Sequence, residues 1–402
     1  MSVTKLNNIG QMVSFNTKLG EMESLNDIEI LIKDDKIEDV GSNLSDADIN
    51  IDCKKMLITP GFVDSHTHPV FYKSRGQEFI MRLSGMTYEE IAKNGGGIIS
   101  SVSGLRNATE NQLIKCVKNR MDRFLSLGTT TIECKSGYGL DVASEIKSLK
   151  VIHEVNKLHS IDMVPTFMGG HAIPNEYSDN RDAYVDIICN EMIPEVAKQG
   201  IAVFNDVFCE KGYFNIQQSQ RILSAGINHG LHPRLHADEF DDSGASVLAG
   251  EIGSITADHL MEISEDGISS LSKNDVIATL LPGTTFFLGK TKYAPYGKLK
   301  DAGIDIALAT DYNPGSCNIQ SMPFIISLAC IYMKMDILDA LKASTYTAAC
   351  SLLLEDTIGS IECGKKADII IWNIEKIEEI PYLVLNQPIQ NILKNGKPIF
   401  SA

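Results

Sequence analysis

The sequence predicts an α/β chain: a (β/α)₈ barrel with a small β domain drawn from both chain ends. Three observations predict it. Eight short apolar runs rich in β-branched residues alternate with helical patterns between residues 59 and 355. The stretches 1–58 and 356–402 instead carry brief strand-like runs broken by turns, such as "QMVSF" and "NILKNGKPIF". No glycine-rich dinucleotide turn follows the first strand, which argues against a doubly wound sheet.

The terminal segments come first in the argument. "DIEILIKDDKIEDV" reads as a hairpin with its return strand, and Asn395-Gly396 marks a second tight turn near the C-terminus. These pieces are expected to pair with each other across the length of the chain.

The barrel strands follow in order: "LITPGFVDSH", "TTTIECK", "MVPTFMGGH", "AVFNDVFCE", "PRLHADE", "SITADH", "VIATLLPG" and "IDIALATD". Helical stretches such as "DVASEIKSLKVIHEVNKL" and "NIQQSQRILSAGINHG" lie between them.

Composition narrows the function. The chain has 402 residues and a net charge of -16, so a nucleic-acid partner is excluded for want of a basic face. Nine cysteines lie scattered without a CxxC pair, the usage of a reduced intracellular protein. No signal peptide or membrane span is readable, so the expected location is cytoplasmic.

In such a barrel, reactive groups sit at the C-terminal ends of the strands. His66 and His68 end the first strand and His171 the third. His236 and Glu239 end the fifth, His259 the sixth and Asp311 the eighth. Side chains alternate along a strand, so His66 and His68 point the same way and can grip one ion. A lone HxH is a weak signal; four strand ends converging on one mouth is a strong one.

His66, His68, His236 and Asp311 together offer three nitrogens and one oxygen, a donor set that suits a borderline divalent metal. Such an ion lowers the pKa of a bound water to about 7. Asp311 can also carry a proton, while Glu239 or His259 can orient water or polarise a substrate. The remaining histidines, His153, His159, His229 and His232, are expected on helices or loops.

A second group faces a substrate. Arg75, seven positions past His68, can hold a carboxylate through two parallel hydrogen bonds. Tyr138 sits in the glycine-bounded "SGYGLD", and "DYNPGS" (311–316) offers an amide and backbone groups. "GGGIISS" (95–101) lacks the Lys-Ser/Thr of a phosphate loop and reads as a lid. Lys135 closes the second strand, not the fourth, where a carbamylated lysine would bridge two metals. A single ion is therefore expected.

These residues resemble the amidohydrolase superfamily, through "PGFVDSHTH" opening the barrel, a later histidine and a final "ATD". Within it the chain is similar to the branch whose members hydrolyse 4-imidazolone-5-propanoate to N-formimidoyl-L-glutamate, the third step of histidine degradation. "CKSGYGLD", "FMGGHAIPNEY", "DVFCEKGYF", "LHADEF", "ADHLMEIS" and "ALATDYNPGS" carry that likeness. The resemblance implies a TIM-like barrel with a β-sandwich from both chain termini, commonly in a homodimer.

It also implies one divalent or trivalent metal per chain, zinc first and iron second, on His66, His68, His236 and Asp311. The substrate would meet Arg75, Tyr138, His171, Glu239, Asn313, Gly315 and Ser316. Glu239 would be the acid/base, with His259 beside the attacking water. The sequence departs from the pattern at "FMGGHA", where glycine replaces an expected alanine, and the termini match weakly. A deaminase of a neutral ring would share the metal residues but has no carboxylate for Arg75.

Overall fold

The computed structural model describes residues 3–401 apart from 88, 89, 92–95, 385 and 387. Three sheets organise it. The N-terminal strands are β1 (Val3–Asn7), β2 (Gln11–Asn16), β3 (Glu21–Asn26), β4 (Glu29–Lys33), β5 (Lys36–Gly41), β6 (Ile49–Asp52) and β7 (Leu57–Pro60). Then come β8 (Phe62–Asp64), β9 (Thr129–Lys135), β10 (Asp162–Gly170) and β11 (Phe204–Cys209). They are followed by β12 (His232–Ala237), β13 (Thr256–His259), β14 (Ile277–Leu280) and β15 (Ile306–Leu308). The C-terminal strands are β16 (Ile369–Trp372), β17 (Ile389–Lys394) and β18 (Lys397–Ser401).

Strands β8 to β15 form one parallel sheet in chain order, the eight expected barrel strands. Every residue of β9 is buried, as a strand covered on both faces requires. The sheet is nearly closed. At its last seam the Asp311 N–H donates to His66 O at 3.0 Å, and the His68 N–H to Tyr312 O at 2.8 Å. Asp64 reinforces the seam by accepting from the Thr310 N–H at 3.0 Å and its hydroxyl at 2.6 Å. Burial pushes the Asp64 carboxyl up to about 7. The seam thus brings the end of strand eight directly beside the HxH of strand one.

Helices cover the barrel by the usual amphipathic logic. Helix α1 (Gly76–Leu83) follows Arg75, and α2 (Ile98–Asn107) follows it closely. Helix α3 (Glu110–Ser126) buries Leu113, Val117, Met121 and Phe124, one stripe at helical spacing, and opens on a Thr109–Gln112 capping box. Helix α4 (Val142–Leu158) starts where Asp141 accepts from the Ser144 N–H. Residues 98–101, read from sequence as part of a lid, are the first turn of α2; Gly97 precedes them with φ 71°, and its N–H donates to Glu78. Gly95 of that stretch lies outside the described residues.

The two termini do interleave. Strands β18, β17, β16, β7, β2 and β3 form a mixed sheet, and β5, β4, β1 and β6 a second one. The tight turns fall as expected: Asn395 and Gly396 have φ of 50° and 73°, and Asp34 has 58°. The single run "LITPGFVDSH" resolves into two strands, β7 in the terminal sheet and β8 in the barrel, divided at Gly61. A Cβ there would lie 2.4 Å from the Thr130 side chain. Trp372, fully buried, donates from Nε1 to Thr59 Oγ1 at 2.9 Å and ties the C-terminal strand to β7.

A charged knot joins this sheet to the barrel. The Lys394 ammonium on β17 meets both Asp368 and Asp162, the first residue of β10. Lys394→Met should cost about 3–5 kcal/mol, since it strands the buried Asp368 carboxylate; denaturant unfolding measures this. Burial works to raise the Asp162 carboxyl, but Lys394 and Lys366 outweigh it and hold it below its usual value. Its contribution is therefore present above the unfolded pKa of about 4 and is lost as pH falls.

Candidate active site

Each sequence-predicted residue is placed by a strand end or the loop after it. His68, Arg75, Tyr138, His171, His236, Glu239, His259, Asp311, Asn313 and Ser316 line one cavity, joined by Ile98, Phe208 and Phe240. Two of the expected residues do not line it. His66 is fully buried beneath it, and Gly315 lies behind Arg75.

Four atoms converge on the cavity floor. His66 Nε2 lies 3.7 Å from Asp311 Oδ1, and His68 Nε2 lies 3.6 Å from the same oxygen. His236 Nε2 is 3.4 Å from His68 Nε2. Zinc–nitrogen bonds of about 2.0–2.1 Å in a tetrahedron set ligand–ligand edges of about 3.3–3.4 Å; His66, His68 and Asp311 form one group able to hold an ion, and His66, His236 and His259 a second that shares His66.

The protonation pattern fits as well. The His66 Nδ1–H donates to Asp258 Oδ2 at 2.7 Å, and the His236 Nδ1–H to Asp206 Oδ1 at 3.1 Å. Both Nε2 atoms therefore turn bare lone pairs to the floor, and His66 Nε2 is buried with no hydrogen-bond partner. Burial, with Lys135 next, holds the His66 ring neutral well below its usual range; burial and then His171 do the same for His68. A ligand imidazole must be neutral. The donor set thus fits a metal ion.

Acid/base groups lie beside it. Burial raises the Asp311 carboxyl to about 6, although Thr284 and Asn313 bond it and oppose the rise. Burial, with Asp311 next, pushes Glu239 well above the ordinary carboxylate range. Glu239 Oε2 lies 3.7 Å from His259 Nε2. The Glu239 loop is pinned from behind by Glu210, which accepts the Glu239 and Phe240 N–H groups at 3.0 and 2.9 Å. His259 and Asp311 hold left-handed backbones, φ 81° and 52°, a strained geometry that recurs at functional sites.

The opposite wall carries His171, Tyr138 and Arg75. The His171 Nδ1–H donates to Gly137 O at 2.8 Å, which leaves Nε2 as an acceptor, and burial drives this ring down to about 3. Buried Glu145 accepts the N–H groups of Gly137, Gly139 and Leu140 and so folds the loop that carries Tyr138. The Arg75 N–H donates to Pro314 O at 3.1 Å, and its Nε lies 3.6 Å from Glu78 Oε2. The Asn313 amide builds its own turn, accepting from Gly315 and Ser316 and donating to Asp311 O and Ser316 Oγ.

Sequence reasoning missed Asp206, Asp258 and Glu133. The available signal was a carboxylate inside an otherwise apolar strand, which demands a buried partner. His232, expected on a helix or loop, is the exposed first residue of β12. His153 lies on α4, and His159 and His229 end helices, as expected.

Comparison with known proteins agrees with this fold. An amidohydrolase family model matches residues 217–399. Solved structures share the fold: an adenosine deaminase from Xanthomonas campestris with bound zinc has TM-score 0.73 at 17% identity, covering 98% of this chain and 92% of that one. A guanine deaminase from C. acetobutylicum has TM-score 0.71 at 19% identity, covering 99% and 100%. The barrel, its terminal sheets and the His/Asp cluster define the class, a metal-binding amidohydrolase.

Curated relatives narrow it. An imidazolonepropionase from Alkaliphilus metalliredigens is 44% identical over 98% of this chain and 96% of its own length. One from Geobacillus thermodenitrificans is 46% identical over 88% and 83%. The chain belongs to the imidazolonepropionase family.

Proposed function

We propose that the chain hydrolyses the cyclic amide C–N bond of 4-imidazolone-5-propanoate to give N-formimidoyl-L-glutamate, in histidine degradation. The observation that carries this reading is the pairing of a His/Asp cluster with a buried arginine across one cavity. The cluster suits an amide carbonyl and the arginine suits a propanoate.

His66, His68, His236 and Asp311 would hold one ion, zinc before iron given three nitrogens and one oxygen. A bound ion supplies polarisation of the ring carbonyl and a more acidic attacking water. Arg75 holds the propanoate carboxylate through its guanidinium fork, which explains how a chain of net charge -16 accepts an anion. His171 accepts a ring N–H at Nε2, and Tyr138 packs beside it, ring centroids 5.1 Å apart.

Asp311 takes a proton from the attacking water. Glu239, kept protonated by burial, gives one to the departing ring nitrogen. His259, on the Glu239 side, hydrogen-bonds the developing oxyanion. Gly315, Ser316 and Asn313 form the turn that seats Arg75 against the substrate. The protein works in the cytoplasm, as a homodimer in this reading; among the described residues no helix is long and apolar enough to cross a membrane.

The test is loss of the ultraviolet absorbance of freshly generated 4-imidazolone-5-propanoate. Turnover should vanish on chelation and return with added zinc or iron. Absence of turnover by metal-loaded protein would sink the substrate assignment.

A further inference from the structure

We infer that Lys135 is a positioning residue for the metal site, tying together the two arms that carry His66, His68 and His236. This rests on the reading that those histidines and Asp311 hold the ion.

A continuous buried chain of polar contacts runs beneath the cavity. The Thr67 N–H, between the two histidines of the HxH, donates to Glu133 Oε2 at 3.0 Å. The Lys135 ammonium donates to Glu133 Oε1 and to Asp206 Oδ2, each at 2.7 Å. Asp206 uses its other oxygen to accept from the His236 Nδ1–H at 3.1 Å. The Lys135 main-chain N–H also donates to Thr67 O at 3.0 Å. Glu133, Lys135 and Asp206 are all fully buried.

The topology explains why a lysine stands here. Glu133 and Lys135 are two apart on β9, so both face the barrel interior. The HxH lies on one side of β9, beyond β8. On the other side, beyond β10, Asp206 rises from β11 beside β12, the strand that carries His236. Strands β8 and β12 are not neighbours in the sheet, so no main-chain pairing joins the HxH strand directly to the strand of His236. Lys135 supplies that link with a compact charge whose donors reach two carboxylates at once.

Charge balance supports the same role. Burial opposes the ammonium, but Asp206 and Glu133 outweigh it and raise Lys135 above its usual value. The Asp206 carboxylate meets that ammonium at 2.7 Å, with both side chains fully buried. Remove the ammonium and Asp206 loses one of its two anchors. His236 then loses a fixed acceptor at Nδ1, and with it the tautomer that keeps Nε2 bare toward the floor.

The experiment titrates metal-stripped protein with Co²⁺ against a chromophoric chelator and records the visible spectrum of the bound ion. Lys135→Met and Asp206→Asn should each weaken Co²⁺ binding about 10–100-fold and alter its visible bands. Lys394→Met, which breaks a buried ion pair at the distant sheet seam, should bind Co²⁺ like the native chain. Asp206→Asn is nearly isosteric and decides the matter if Lys135→Met does not fold. Native affinity in Asp206→Asn, or an equal loss in Lys394→Met, overturns the inference while the ligand reading stands. Failure of the native chain to bind Co²⁺, or undiminished binding in His236→Ala, overturns the ligand reading and the inference with it.

Discussion

Replacing Glu239 with glutamine is expected to lower kcat about 10²–10⁴-fold, with bound metal unchanged and KM little affected. Glutamine keeps the shape and neutrality of the protonated acid that burial and Asp311 favour, yet it has no proton to give. The loop should stay in place, because Glu210 grips it through the Glu239 and Phe240 main-chain N–H groups, which the substitution leaves intact. Steady-state kinetics with metal analysis of the same sample decides the point. A kcat within threefold of native would remove Glu239 from the proton path and leave Asp311, raised to about 6, as the sole carrier.

Gly315→Ala should mimic Arg75→Ala. A Cβ at position 315 would fall 1.5 Å from Arg75 Nη2 and 2.2 Å from its Cζ. The turn has little freedom to retreat: the Gly315 N–H is held by Asn313 Oδ1 at 2.9 Å and Pro314 O accepts the Arg75 N–H. The guanidinium, at the far end of a flexible side chain, is the part that yields. The fold should therefore survive with a nearly native melting temperature. Losing a desolvated arginine–carboxylate contact costs about 2–5 kcal/mol, so kcat/KM should fall about 30-fold or more, chiefly through KM. If Gly315 acts only by seating Arg75, the double variant loses nothing beyond Arg75→Ala. A kcat/KM within threefold of native in Gly315→Ala would refute this account.

Much of the site was readable before any geometry. The HxH, the later His236 and Asp311 each sit at or just past a strand end, and barrel topology sends all such positions to one mouth. Arg75, Tyr138 and His171 were legible for the same reason, with motif spacing added. The division at Gly61 was less legible. An unbroken apolar run carries no mark that it serves two sheets, because that depends on what Thr130 leaves room for.

The polar frame beneath the site could not be read at all. Asp206 and Asp258 look alike as single carboxylates in apolar strands, and nothing local says which imidazole each will orient. Lys135 invited a metal-bridging reading, and strand order alone argued against it; what it does touch, Glu133 and Asp206, appears only once β9 and β11 flank β10.

Element order, the eight-strand barrel, the family likeness and the residue types at the mouth are all written in the amino-acid order. These follow from local periodicity and from alternation along strands, which each segment carries within itself. Tertiary structure alone decided which nitrogens are bare, which carboxylates are raised, and how the HxH and His236 are tied together. Those properties come from burial and from partners far apart in the chain, and they exist only after the last strand closes on the first.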